Sequence, residues 1–315
     1  MQQLPPLLMR AGYWKPIEEE IDRVLRELIY KPLLRLLASE HPEYHNAKVE
    51  SLLDAVREGL VWYQDGRFSG TFNAKISADL KKLGAQFHGR SKTWTLEPEL
   101  VPPDIRIAQA RADSRYDALR RGFLKTLAEA NIDSIDKLSK IADNYKKTIE
   151  WMNGDFEKAV RAISIPPKLT EAQRAIIADE WGRNLNKYIK SWADKTIFEL
   201  RDLVQANTFA GRRAEALEDV IRENYGVSQR KAQFLARQET SLLMSKFRET
   251  RYGQIGVKRY RWSTSHDERV RSDHKHLNGK VFSFDSPPVT NARTGARNNP
   301  GEDFGCRCVA VGLVD

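Results

Sequence analysis

Two histidines and two cysteines near the C-terminus are the residues of this 315-residue chain best suited to chemistry. His274 and His276 are separated by one residue, and so are Cys306 and Cys308. Imidazole nitrogen and thiolate sulfur are the ligands zinc prefers, so the four could supply a tetrahedral site. In a strand, a one-residue gap points both side chains to one face, which would let each pair converge. Structural zinc usually draws its cysteine pairs from positions about two to four residues apart, and neither pair has that spacing. The expectation is therefore no cofactor, with zinc on His274, His276, Cys306 and Cys308 as the competing arrangement. A Cys306–Cys308 disulfide would close a strained, very tight ring and is not expected.

Around the ligand-type residues runs a polar string, Asp267, Arg269, Arg271 and His274, in a segment that reads as loop. Loops rich in Asp and Arg bond their own backbone and each other, which locks a loop without catalysing anything. Pro300-Gly301 should make a tight turn that brings Cys306–Cys308 alongside. The expectation is a polar-stapled β unit with no catalytic residue. One enzymatic alternative stands against it. Asp273-His274, a later Asn298 or Asn299 and basic surroundings are similar to a His-Asn-His metal nuclease. No histidine follows His276, so the downstream metal ligand of such a site is missing. A phosphate-binding Gly-x-x-x-x-Gly-Lys-Ser/Thr loop, a Gly-x-Ser-x-Gly elbow and a His-Glu-x-x-His pair are all absent from the sequence.

Composition bounds the rest. Apolar residues make up 41% and charged residues 30%, a mixture that supports buried cores. No apolar run approaches the roughly 20 residues needed to span a bilayer, so membrane contact is not expected. Two cysteines make no disulfide framework, and the N-terminus lacks the look of a secretory signal, which points to synthesis in a reducing cytoplasm. The net charge is +9. Residues 246–280 hold ten Lys/Arg against four Asp/Glu, so a polyanion is the natural partner for this stretch. Lys258, Arg259, Arg261 and Arg269 are the candidate contacts to DNA phosphates.

Hydrophobic periodicity supplies the elements that must position these residues. Helices are predicted over 14–40 (interrupted or kinked at Pro32), 46–64, 73–84, 105–130 and, as two short pieces, 133–164. Ile165-Pro-Pro-Lys168 is the predicted domain boundary, dividing a helical region 1–165 from a domain 166–315. Thr170-Glu-Ala-Gln173 has capping-box spacing. It should start a long helix to about Gln205, with Trp181, Leu185, Tyr188 and Trp192 on one stripe. Helices over 212–224, closed by Gly226, and from Ser228 to about 253 follow. Strands are then predicted at 257–262, 281–284 and 308–314. The fold class is mainly α: helical N-terminal and middle regions, a long-helix platform, and a small α+β unit over 257–315.

The ordered set of C-terminal motifs resembles the phage Mu F-like head morphogenesis family. Ala236-Arg-Gln-Glu-Thr240 resembles the family's Ala-Arg-Thr-Glu-Thr, with Gln238 in place of Thr. Gly256-Val257, then Trp262, Asp267, Arg269, Arg271 and His274, then Leu277-x-Gly279, follow in the family's order. Pro300-Gly-Glu302 and Cys306-Arg-Cys308 close it. The resemblance covers roughly residues 195–315 and adds Gly279 to the structural loop network. It implies a minor head protein of a tailed phage, in the virion at the head interior or portal vertex. Such a protein would partner the portal, the major capsid or scaffolding protein and genomic DNA, and would serve assembly and genome packaging or delivery.

Overall fold

The computed structural model describes residues 2–40, 49–58, 60–205 and 213–314. In chain order the elements are β1 (Gln2–Gln3), α1 (Ala11–Leu25), α2 (Lys31–Glu40), α3 (Leu52–Arg57), β2 (Val61–Gln64), β3 (Arg67–Gly70), α4 (Ala74–Lys82), β4 (Gln86–His88) and β5 (Thr93–Thr95). There follow α5 (Pro103–Glu129), α6 (Ile135–Leu138), α7 (Ile141–Val160), α8 (Glu171–Gln205) and α9 (Arg213–Gln254). The C-terminal part holds β6 (Arg259–Ser263), α10 (Ser272–Leu277), β7 (Val281–Ser283), β8 (Val289–Asn291), β9 (Ala296–Arg297) and β10 (Val309–Val314). The mainly helical class with a β-containing C-terminal part is as expected.

The chain packs as two compact units, and they do not divide it at Pro166-Pro167. One unit holds residues 1–24, 133–191 and 227–315, the other 25–132 and 192–226. A proline pair breaks a helix, but it does not decide which segments share a core.

The first unit is built on helices. Thr170 accepts from the Gln173 N–H at 3.2 Å and Gln173 answers Thr170 N–H at 2.9 Å, so the capping box starts α8 as its spacing requires. On the part of α8 that belongs to this unit, Ala178, Leu185 and Ile189 are buried, while Tyr188 faces solvent. Thr148 of α7 donates to the Tyr13 carbonyl on α1 at 2.8 Å, and Phe156 of α7 meets Phe247 of α9 edge to face. Gly182 lets α8 lie against Ala142 of α7, because a Cβ there would come within 2.9 Å of the Ala142 Cβ.

On this helical layer sits a four-stranded antiparallel sheet in the order β1-β10-β6-β7. In β6 the pleat turns Tyr260 and Trp262 inward and Arg259 and Arg261 outward. The sheet is completed by the other end of the sequence. Gln2 and Gln3 pair with Val314 and Leu313, and Leu4 N–H continues the ladder to the Gly312 carbonyl at 2.9 Å. Gly312 is where the sheet touches the layer below, since a Cβ there would meet Leu4, Val257 and Tyr252 at 3.0–3.2 Å.

The second unit has its own core, in which Leu52, Val56, Phe68, Leu80, Trp94 and Ile105 are buried. Its sheet runs β2-β3-β5-β4. Here the expected helix over 46–64 is corrected. Residues 46–48 and Gly59 lie outside the described residues, α3 covers only Leu52–Arg57, and 61–70 is a hairpin. Asp65 and Gly66 both have positive φ, 49° and 78°, the two-residue turn that matches the twist of paired strands.

Two further helix boundaries differ from expectation. Gly226 and Ser228 do not separate two helices, because α9 runs through both. One interior glycine costs a helix only about 1 kcal/mol, which flanking turns packed on a core outweigh. Arg212, the predicted start, lies outside the described residues. Near Pro32 the helix is widened rather than ended. The five residues Arg26–Tyr30 form a π turn, with Lys31 N–H reaching back to Arg26 O, just before the proline that has no N–H to give. Among the described residues no helix is long and apolar enough to cross a membrane.

Candidate functional site

The C-terminal unit is tied to α9 by a stripe of side chains at spacings of three and four. Phe234 stacks on Phe304 with centroids 4.5 Å apart. Gln238 Oε1 accepts from Gly305 N–H at 2.6 Å, and Ser241 donates to Gly301 O at 3.0 Å. Ser245 donates to Glu302 at 3.3 Å, and the buried guanidinium of Arg248 donates to Leu7 O at 2.6 and 3.2 Å. Burial lowers the Arg248 pKa to about 10, which leaves it a cation at neutral pH. Gln238 is the position that departs from the family's Thr, and here it supports the loop before Cys306.

The loop itself is a turn of the expected kind. Glu302 N–H bonds Asn299 O at 3.1 Å across Pro300-Gly301, and Gly301 has φ +97°. Proline then positive-φ glycine is a type II arrangement. Glu302 accepts from Asn299 N–H at 2.6 Å, and the Asn299 side chain accepts from the buried Tyr260 hydroxyl at 2.9 Å. The turn carries the chain so that Cys306 and Cys308 face α10.

The polar string divides into separate jobs. Asp267 binds Arg307, at 2.6 and 2.7 Å, and the N–H of Arg269 at 3.0 Å. The Arg307 hydrogen bond holds the Asp267 carboxyl below its ordinary pKa. Arg271 donates to Phe304 O. Arg269 is exposed. Gly279, at φ +80°, ends α10 and returns its N–H to Trp262 O at 2.8 Å, which fixes α10 beside β6.

His274 is the one member of the string that meets the cysteines. Its Nδ1 is 3.6 Å from Cys306 Sγ and 3.6 Å from Cys308 Sγ, and the Trp262 ring stands edge-on at 5.4 Å. Its Nε2 lies 3.2 Å from the Asp303 carboxylate, whose other oxygen accepts from Asn298 at 2.7 Å. His274, Cys306 and Cys308 are all buried. The Asp303 carboxylate 3.2 Å from Nε2, and then Cys306, raise the His274 pKa to about 9. The Cys308 hydrogen bond, with His274 behind it, draws the Cys306 thiol down, and the same contact with Cys306 pushes Cys308 up.

His276 does not join them. The two histidines sit on a helix rather than the strand the spacing argument assumed, and residues two apart on a helix point to nearly opposite sides. His276 is exposed. The partner that sequence reasoning missed is Asp303, three residues before Cys306, whose only signal was its place inside Pro300-Gly-Glu-Asp-Phe-Gly-Cys306.

A cleft of about 50 Å³ is lined by His274, Cys306, Cys308, Arg269, Arg271 and Arg307. It has room for a few waters, far from the roughly 300–1,000 Å³ of a small-molecule site. Cysteine, histidine and aspartate in sequence are also the residue types of a nucleophile, base and orienting acid. The residues named for the nuclease alternative have partners within the unit. Asn298 and Asn299 are engaged with Asp303, Thr290, Tyr260 and Phe284, and the Asp273 carboxylate accepts from Ala292 N–H at 3.0 Å. Of the phosphate-contact candidates, Lys258, Arg259 and Arg261 are exposed neighbours at and just before β6, and Arg269 lines the cleft. Gln3, with its amide oxygen turned to the guanidinium, accepts from Arg261 at 2.7 Å.

No solved structure matches the chain. An uncharacterized protein of Haemophilus influenzae (strain ATCC 51907 / DSM 11121 / KW20 / Rd) is 30% identical over 149 residues. That alignment is 47% of this chain but only 31% of the relative's length. Residues 199–311, which hold the stripe on α9, the Pro-Gly turn and the imidazole–thiol cluster, match the family described as Phage Mu protein F like protein, the family their ordered motifs resemble.

Proposed function

We propose that this chain is a minor head protein of a tailed phage, structural rather than catalytic, acting in head assembly and in genome packaging or delivery. The observation that carries the reading is the family match over residues 199–311. The engagement of its motif residues supports it: Asp267, Arg271, Gly301 and Glu302 bond other parts of the same unit. In this reading the helices dock on the portal or the inner capsid wall, in the virion. The basic surface at β6 faces packaged DNA through phosphates alone, hence without sequence preference.

Two measurements test it separately. Co-purification with the portal protein, and density for the chain at the portal vertex of the particle, are expected; a particle lacking the chain removes the head role. For DNA, four phosphate contacts from Lys258, Arg259, Arg261 and Arg269 predict that log K falls with log salt at a slope of about −3.6. Arg259→Ala with Arg261→Ala should flatten that slope by about 1.8. Salt-independent affinity, or no binding at low salt, removes the DNA role and leaves the head role standing.

A further inference from the structure

We propose that His274 Nδ1, Cys306 Sγ and Cys308 Sγ bind one zinc ion, with the fourth position open to the adjoining cleft. The three ligand atoms lie within 4.8 Å of one another. Tetrahedral zinc, with bonds of about 2.3 Å to sulfur and about 2.0–2.1 Å to nitrogen, sets its sulfur and nitrogen ligands about 3.5–3.6 Å apart. Both Nδ1–Sγ distances here are 3.6 Å.

Hydrogen bonding alone accounts poorly for this arrangement. Nδ1 has one site for a proton or a donor, yet two sulfurs face it at the same distance. A cation at the centre satisfies both. The other side of the ring supports the assignment independently. Asp303 faces Nε2 at 3.2 Å and is itself held by Asn298. A carboxylate there keeps the proton on Nε2 and leaves the Nδ1 lone pair toward the sulfurs, as in histidines that ligate metals. Both cysteines ligate as thiolates, so the pair neutralises the dication. The cleft touches all three ligands and admits a water as fourth ligand. The one-residue gap between the cysteines is no obstacle, because the extended backbone leading into β10 turns both inward; both are buried. His276 is no ligand. The ion would bind α10 to the start of β10, joining parts of the chain some thirty residues apart that the Pro-Gly turn has brought together.

The test uses the full chain. Metal analysis after purification without chelator is expected to give about one zinc per chain, and cobalt(II) replacing it should show thiolate-to-cobalt charge-transfer bands with intense tetrahedral d–d bands. His276→Ala should keep both signals. Cys306→Ser should lose the charge-transfer intensity of one thiolate. His274→Gln should weaken zinc retention against a chelator at least tenfold. If a variant fails to fold, the cobalt spectrum of the unaltered chain still decides. Purified chain with two free thiols and no cobalt–thiolate band overturns the proposal, and so does a Cys306–Cys308 disulfide in chain kept from oxidants.

Discussion

The bond between Tyr260 and Asn299 fastens the Pro-Gly turn to the sheet, and its removal has a calculable cost. Tyr260 is fully buried, and its hydroxyl donates to Asn299 Oδ1 at 2.9 Å. Burial, and then the nearby Glu302 carboxylate, push the phenol pKa up, so the hydroxyl stays a donor at any working pH. In Asn299→Ala the backbone bonds of the turn survive, since Glu302 binds the Asn299 N–H rather than its side chain. The Tyr260 hydroxyl is left buried with no acceptor, which costs about 1–3 kcal/mol. Tyr260→Phe orphans the amide oxygen at a similar cost. Removing both leaves neither member of this pair unsatisfied, and the Asn299 contact to Phe284 O is lost equally in the single and the double variant, so the double variant should be more stable than the sum of the two by about 1–2 kcal/mol. Hydrogen exchange of peptides covering 259–263 and 309–314 reports it locally, which matters in a chain with two compact units. A loss of about 2 kcal/mol speeds exchange about thirtyfold, at about 1.4 kcal/mol per decade. Strictly additive effects, or unchanged exchange in Asn299→Ala, would refute the claim that this bond holds the turn to β6.

Two glycines in neighbouring helices should respond with opposite sign. Gly154 on α7 has open space where a Cβ would go, so Gly154→Ala should raise the melting temperature through helix propensity worth up to about 1 kcal/mol. Gly182→Ala gains the same propensity but drives a methyl to 2.9 Å from Ala142, an overpacking cost of about 1–3 kcal/mol, so melting should fall. Shifts of the same sign in both would sink the close-contact argument. At acid pH, Glu20 governs part of the stability. Burial pushes its carboxyl up, but bonds from Arg23 at 2.7 and 2.9 Å and from Lys140 N–H at 2.7 Å outweigh that and hold its pKa below the ordinary 4.5. A carboxylate with a depressed folded pKa contributes stability that is present above pH 4.5 and lost as pH falls through the folded value. The acid limb of melting temperature against pH should therefore be shallower in Glu20→Gln; identical limbs would show that the carboxylate adds nothing.

The long elements were legible because their signals are local. Thr170 and Gln173 cap each other within one turn, Gly84 closes α4 at φ +83°, and the alternation Arg259-Tyr260-Arg261-Trp262 needs only the pleat of its own strand. The site was half legible for the same reason. Residue type pointed to His274, Cys306 and Cys308, but including His276 required knowing whether residues 272–277 were strand or helix, and five polar residues with one leucine carry no periodicity to decide it. The hairpin at 61–70 carried a readable cue, Asp65-Gly66 between Trp62-Tyr63 and Phe68, and the apolar spacing of Val49, Leu52, Leu53, Val56 and Leu60 hid it by running on from a real helical turn.

What sequence could not give is the union of the two chain ends. Gln2-Gln3 has no strand propensity of its own, and it is a strand because β10 offers an edge and Arg248 holds Leu7 O. The same logic explains the stripe on α9. Gln238, Ser241 and Arg248 bind main-chain groups, at Gly305 N–H, Gly301 O and Leu7 O, so no hydrophobic period marks them. A main-chain partner also has no side chain to match. Any acceptor that reaches Gly305 N–H can serve, which is how Gln238 can stand where the family pattern has Thr without loosening the loop that presents Cys306.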